Sequence, residues 1–302
     1  MYDIIIIGAG PAGLTAAIYA RRAGKKVLVL EGNTYGGQII NTLSIENYPV
    51  EPHISGFDFA TKLYNQVLEL GAEIKFERVL EVSKDKIVKT KKSTYQGLAI
   101  ILATGAENRK LGLERESKLT GKGISYCATC DGAFYKGKKV AVVGGGNTAL
   151  EDAIYLSNLA NKVYLIHRRD EFRGEQSYVE ELKKKENIEI IYNSQVTKIN
   201  GKEHLESIEI TNKNNDKRTL DIEGLFIAVG RNPENENFKE LIALDAAGYA
   251  IASEDCHTNV KGIFVAGDNR TKELRQLVTA TSDGAVAATE AIKYIQGKEL
   301  QK

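Results

Sequence analysis

Two stretches decide the fold: IIIIGAGPAGLTAAIYARRAGKKVLVLE at residues 4–31 and VAVVGGGNTALEDAIYLSNLANKVYLIH at residues 140–167. Each opens on an unbroken apolar run, Ile4–Ile7 or Val140–Val143, which suits a parallel strand buried on both faces. A glycine-rich turn follows, then a helical segment (Leu14–Ala23, Leu150–Leu159) and a second strand that runs out at Glu31 or His167. That order is the strand–turn–helix–strand unit of dinucleotide-binding folds. The copies superpose without gaps at a shift of 136 positions, Gly8 on Gly144, Gly10 on Gly146 and Leu14 on Leu150. One glycine motif is weak evidence, but two in the required context with equal internal spacing predict two such folds.

The glycines have separate duties. The first permits the tight turn, the second lets a pyrophosphate approach the backbone, and the third allows close helix–strand packing. The helix N-terminus then offers free N–H groups to the phosphates. The residues ending the second strands separate the ligands. Glu31 is suited to accept from ribose hydroxyls, as in FAD or NAD binding. The second unit has His167 there, followed by Arg168, Arg169 and Arg173, with no acid at that position to repel a 2′-phosphate. Asp170 and Glu171 interleave, so a solvated charge run is the competing reading; the position favours NADPH. Ala149 stands for the third glycine, and Asn147 and Thr148 can cap the helix.

Outside these units the pattern is consistent with two domains, one inserted in the other. Strands at Leu98–Ala103 and Leu225–Val229 each run into glycine, and the polar segments 107–110 and 231–237 read as crossings. A strand at Ile263–Ala266 and a helix from Ser282 to Gln296 complete the first domain. The 302 residues carry a net charge of +1, without the basic excess usual for a nucleic-acid binder. No apolar run approaches the ~20 residues needed to span a bilayer. No secretory signal is read at the N-terminus, and three cysteines in all are consistent with a reducing, cytoplasmic setting.

Cys127-Ala128-Thr129-Cys130 lies just before the second glycine unit. A zinc half-site would need two further ligands. Cys256 and His257 make a poor second half, because neighbours in an extended segment point to opposite sides. A redox dithiol placed among dinucleotide sites is the favoured reading. Asp131 is either a turn residue before Gly132 or a proton shuttle. Cys256 reads as an ordinary, partly buried thiol.

With these motifs in order, the sequence resembles the low-molecular-weight, bacterial-type thioredoxin reductases along essentially its whole length. GAGPAG (8–13), GGQ (36–38), ENYP (46–49), ATG (103–105), CATCDG (127–132), GGGNTA (144–149), HRRDEFR (167–173), AGD (266–268) and RQ (275–276) carry the likeness. The resemblance implies an α/β fold with two Rossmann-like dinucleotide-binding domains. The NADPH domain (110–238, carrying the CxxC) would be inserted into the FAD domain (1–109 and 239–302). It implies that Gly8, Gly10, Gly13 and Glu31 hold the ADP part of FAD, with Gly37, Gln38 and Asn47 at the flavin and Thr104 and Gly105 nearby. Asp268 would bond the ribityl chain, and Arg275 and Gln276 would open a helix at the flavin ring. Pro11, Ala12, Gly32, Val82 and Gly267 complete the implied FAD set. Gly144, Gly146, Asn147, Thr148, Ala149, His167, Arg168, Arg169 and Arg173 would bind NADPH.

The resemblance further makes Cys130 the flavin-facing thiol, Cys127 the interchange thiol and Asp131 the acid. The implied activity is NADPH-dependent reduction of thioredoxin by a cytoplasmic homodimer. One flavin face must serve nicotinamide and Cys130 in turn, which implies movement of the inserted domain. Two alternatives stay open: a flavoprotein reductase of a glutaredoxin-like protein or small disulfide, and a non-catalytic redox sensor.

Overall fold

The structure is a computed structural model that describes residues 1–300 except 43 and 52. The chain divides into two compact units, Met1–Glu107 with Asn232–Lys302, and Asn108–Arg231. The return to the first unit falls at Asn232 rather than 239. Phe238 packs in the core of the first unit, and Asn235 donates to the carbonyls of Gly248 and Asn269 there.

The first unit begins with β1 (Tyr2–Ile7), α1 (Pro11–Arg22), β2 (Val27–Glu31), α2 (Gly56–Glu69) and β3 (Glu73–Phe76). Next come β4 (Val79–Val82), β5 (Ile87–Thr90) and β6 (Thr94–Leu102). The sheet order is β3-β2-β1-β6-β5-β4, parallel from β3 to β6 and antiparallel beyond. Ile4 and Ile6 lie in one core and Ile5 and Ile7 in another. Both faces of β1 are therefore covered, which is why the run does not alternate. Helix α1 begins at Pro11, ahead of the expected Leu14, because proline at the first helical position has no N–H to leave unpaired.

Strand β7 (Ala106–Asn108) leads into the second unit, which opens with α3 (Glu116–Leu119), β8 (Ile124–Ser125) and α4 (Ala128–Asp131). The repeat follows as β9 (Lys139–Gly144), α5 (Asn147–Ser157), β10 (Lys162–Ile166), α6 (Gln176–Lys183) and β11 (Ile188–Ile191). An antiparallel ribbon, β12 (Ser194–Asn200), β13 (Ser207–Asn212) and β14 (Lys217–Asp221), precedes β15 (Gly224–Ala228). The parallel order is β11-β10-β9-β15-β8. Helices α5 and α6 pack in one core, while Ile199, Ile208 and Ile210 of the ribbon pack in the other.

Strand β16 (Arg231–Pro233) pairs with β7 as the chain returns. Strand β17 (Ile263–Val265) then joins β6 in parallel, and α7 (Leu277–Glu299) packs on α1. The two helices approach closely: a Cβ on Gly284 would stand 2.2 Å from the Ala12 carbonyl oxygen. Helix α7 starts before the expected Ser282 because Gln276 and Thr279 form a capping box.

Candidate active site

In each unit the residues expected to bind ligand gather at the carboxyl ends of parallel strands, where open α/β sheets place their crevices. In the first unit these ends are Gly8 after β1, Glu31 on β2, Thr104 and Gly105 after β6, and Gly267 and Asp268 after β17. The glycines divide their work as expected. Gly8 has φ +107° and a Cβ there would lie 2.3 Å from the Ala103 oxygen. A Cβ on Gly13 would lie 1.9 Å from the Gly8 oxygen. Gly10 is different: its missing Cβ faces open space, with only the Gly37 Cα within 4 Å among the described residues, at 3.9 Å. Packing demands the first and third glycines, and the second leaves a backbone cradle that a pyrophosphate fits.

Glu31 closes over this loop. Its Oε2 accepts from the Ala9 N–H at 2.8 Å and its Oε1 from the Asn33 N–H at 2.7 Å. Each oxygen retains capacity for a ribose hydroxyl. Gly37 follows at φ +58°, beside Gly10, and Gln38 is exposed. Asn47 and Gln276 meet directly, Nδ2 to Oε1 at 3.1 Å. Thr104 accepts from Asn269 at 3.1 Å, and the Arg275 guanidinium lies over the Tyr249 ring at 4.1 Å while donating to the Asp268 carbonyl. Gly267 abuts Ala12, where a Cβ would stand 3.0 Å away. Asn269 is fully buried and its Oδ1 has no hydrogen-bond partner among the described residues, an acceptor that a bound group would satisfy. The residues present fit FAD. The Val82 side chain packs in the core that holds Ile5 and Leu28, which leaves its backbone as the part that would face a ligand.

Several members of this site carried no local signal. Arg78 lies beside Gly32 and donates to Asn33, reaching there from the turn between β3 and β4. More important is a buried cluster around Asp283 of α7. Its Oδ2 accepts from Gly267 N, Arg270 Nε and Lys272 Nζ at 2.8, 2.8 and 2.9 Å, and its Oδ1 from Arg270 Nη2 at 2.8 Å. The three side chains are only 1–6% exposed. Burial alone would raise the Asp283 carboxyl, but the Arg270 and Lys272 bonds overcome it and hold its pKa below the usual value. The cluster ties the loop bearing Asp268 and Arg275 to α7.

The second unit repeats the cradle. A Cβ on Gly144 would meet the Ala228 oxygen at 2.4 Å and the Ala149 methyl at 2.5 Å, so Ala149 fits only because residue 144 is glycine. Gly146 again faces open space, with nothing among the described residues within 4 Å. Asn147 does not cap α5; Gly146 occupies that position. The Asn147 side chain instead exchanges hydrogen bonds with Glu175 at 2.8 and 2.9 Å. His167 is buried with its ring over Gly145 and its Nε2 3.0 Å from the Glu171 carbonyl. Burial pushes its pKa down against the opposing hydrogen bonds to the Glu171 and Gly144 backbone, with Arg173 and Arg169 adding to the downward push. Arg168, Arg169 and Arg173 are exposed, and the Arg173 N–H binds the Gly145 carbonyl at 2.8 Å, which draws the arginine loop to the glycine loop. Thr148 is exposed at the helix start. This set fits a phosphorylated nicotinamide dinucleotide.

Cys127 and Cys130 form a disulfide, Cα to Cα 5.3 Å, both half-buried. Cys127 is the N-cap of α4 and Cys130 lies within its single turn, just past the end of β8 and at the same carboxyl end of the parallel sheet as the glycine loop. Gly132 lets this turn sit on α5, because a Cβ would be 2.8 Å from the Tyr155 ring. Asp131 is half-buried, and its charge joins burial in pushing Tyr135 up to about 12. Cys256 belongs to the other unit and is fully buried; its backbone is left-handed at φ +61°, not extended as the sequence suggested.

Two dinucleotide cradles and a vicinal disulfide define a class of nucleotide-dependent disulfide oxidoreductases. The chain belongs to the family described as pyridine nucleotide-disulphide oxidoreductase, whose model matches residues 2–284. It is 44% identical over 301 residues to a 34.2 kDa protein in the rubredoxin operon of Clostridium pasteurianum, covering 98% of each chain. It is 43% identical over 301 residues to a thioredoxin reductase of Listeria monocytogenes, covering 98% of this chain and 94% of the relative. Its fold superposes on the crystal structure of thioredoxin reductase from Streptococcus pyogenes with a TM-score of 0.94 at 39% identity, covering 98% and 99% of the two chains. Among the described residues no helix is long and apolar enough to cross a membrane.

Proposed function

We propose that the chain is an NADPH-dependent thioredoxin reductase, working as a homodimer in the reducing cytoplasm. The cofactors are FAD and NADPH. The observation that carries the reading is the Cys127–Cys130 disulfide at the same carboxyl end of the parallel sheet as an NADPH-type glycine loop. Gly10 and Glu31 would hold the FAD pyrophosphate and ribose, and Arg168, Arg169 and Arg173 the 2′-phosphate of NADPH. When bound, the flavin supplies a two-electron carrier between nicotinamide and disulfide.

The chain's own residues then account for the exchange. With both thiols reduced, the Cys127 thiolate attacks one sulfur of the thioredoxin disulfide and forms a mixed disulfide, expelling a substrate thiolate. Cys130 attacks the Cys127 sulfur, closing the internal disulfide and releasing the second substrate thiolate. Asp131, next to Cys130 in the chain, would take and return the proton as thiols ionise. The test is Cys130→Ser in an NADPH assay with thioredoxin. NADPH is expected still to bleach the flavin while thioredoxin reduction disappears. Retained turnover would remove Cys130 from the exchange.

A further inference from the structure

We propose that Glu116 and Tyr126 are positioning residues that set the redox equilibrium of the Cys127–Cys130 pair. This rests on reading those cysteines as the redox centre. Glu116 is 2% exposed at the start of α3, and its carboxylate is filled by four donors. Oε1 accepts from the Leu111 N–H at 2.9 Å and the Tyr126 hydroxyl at 2.7 Å. Oε2 accepts from the N–H groups of Gly112 and Leu113 at 2.8 and 3.2 Å. A carboxylate out of water needs such partners, and here three consecutive backbone groups leave it one further strong bond, to Tyr126.

Tyr126 immediately precedes the interchange cysteine. Its ring packs against the core that contains Ile124 and Leu225, and its hydroxyl is fixed by Glu116, so both ends of the side chain are held. Burial and the Glu116 charge keep the hydroxyl protonated and therefore a donor well beyond neutral pH. Cys127 itself is pinned by Ser125, whose Oγ accepts from the Cys127 N–H at 3.0 Å and donates to the Cys127 carbonyl at 3.2 Å. Past Cys127 the helical turn takes over, with the Asp131 N–H on the same carbonyl at 3.2 Å. The backbone on both sides of Cys127 is thus anchored independently of the sulfur–sulfur bond.

That anchoring bears on the equilibrium. Closing a disulfide is an intramolecular reaction whose equilibrium constant depends on how closely the open thiols are already held. If Glu116 and Tyr126 restrict Cys127 in the dithiol form, releasing them lowers the tendency to close and makes the pair easier to reduce. The variant that removes only the anchor is Tyr126→Phe, which keeps the ring, the packing and the Glu116 charge.

The experiment equilibrates the flavin-loaded protein with reduced and oxidised dithiothreitol, without NADPH or thioredoxin. In this exchange the two cysteine thiols pass two electrons and two protons to oxidised dithiothreitol as their disulfide forms. Alkylation and mass measurement read the fraction open. Tyr126→Phe and Glu116→Gln are each expected to lower the closing constant between threefold and tenfold, a tenfold change being about 30 mV. The double variant should be little worse than either single one, because both break one interaction. A merely structural role would lower the melting temperature and leave the potential where it was. A Tyr126→Phe constant within twofold of wild type overturns the proposal, whatever the melting temperature does. Failure of the proposed activity would show separately, as a wild-type pair that NADPH leaves closed.

Discussion

Replacing Asp283 with asparagine removes one charge and almost no volume, at the point where four donors converge. Arg270 is 1% exposed and Lys272 5% exposed, so neither cation can turn to water for compensation. Removing one partner of a buried ion pair costs about 3–5 kcal/mol, because the remaining charge stays desolvated. A domain of this size loses ~2–4 °C per kcal/mol, so the melting temperature should fall by roughly 6–20 °C. Calorimetry or circular dichroism of the flavin-loaded protein measures it. The same variant should release flavin more readily, since Gly267 and the loop bearing Asp268 and Arg275 lose their tie to α7. The acid limb gives an independent check. The folded pKa of Asp283 is depressed, so its stabilisation is present above the unfolded carboxyl value and is lost as pH falls through the folded one. The asparagine variant lacks that group, and its stability should depend less steeply on acid. Replacing all three side chains by apolar ones of similar volume should recover much of the loss. An asparagine variant within about 1 kcal/mol of wild type would refute the reasoning.

The glycines should separate binding from folding. Gly10→Ala adds a methyl into open space at an ordinary extended backbone, so it should cost about 1 kcal/mol or less in stability while weakening FAD binding. Gly13→Ala drives a methyl against the Gly8 carbonyl and should cost about 3 kcal/mol or more, read by denaturant titration. Arg168→Gln and Arg169→Gln should each raise the KM for NADPH roughly 10–100-fold, as the loss of charged hydrogen bonds worth about 1.5–3 kcal/mol requires, and should leave the KM for NADH nearly unmoved. Cys256, which burial pushes up to about 12, should resist iodoacetamide at pH 8 in the folded protein and react once it is unfolded. Its labelling at the rate of a free thiol would contradict the burial.

The parts of the fold that the sequence disclosed are those where local chemistry has a fixed spacing. The continuous apolar runs at Ile4 and Val140, and the glycines behind them, announce strand, turn and helix because backbone sterics allow little else. CATC is equally local. What stayed hidden depends on residues that meet only after folding. Asp283 and Arg270 are thirteen positions apart, on a helix and a loop, and nothing in their neighbours' periodicity marks them as buried partners. Glu116 reads as one acid among several in a charged segment, and only the structure turns it inward onto Tyr126. Arg78 enters from another strand connection. Asn147 shows the reverse, for it belongs to the second glycine loop while its side chain makes an internal bond to Glu175.

The most direct measurement is a thiol count after anaerobic addition of NADPH to the flavin-loaded protein, with no thioredoxin present. Alkylation followed by mass analysis should find two new labels, on Cys127 and Cys130, with NADH far less effective at equal concentration. A flavin that bleaches while that disulfide stays closed would contradict the proposed route for the electrons.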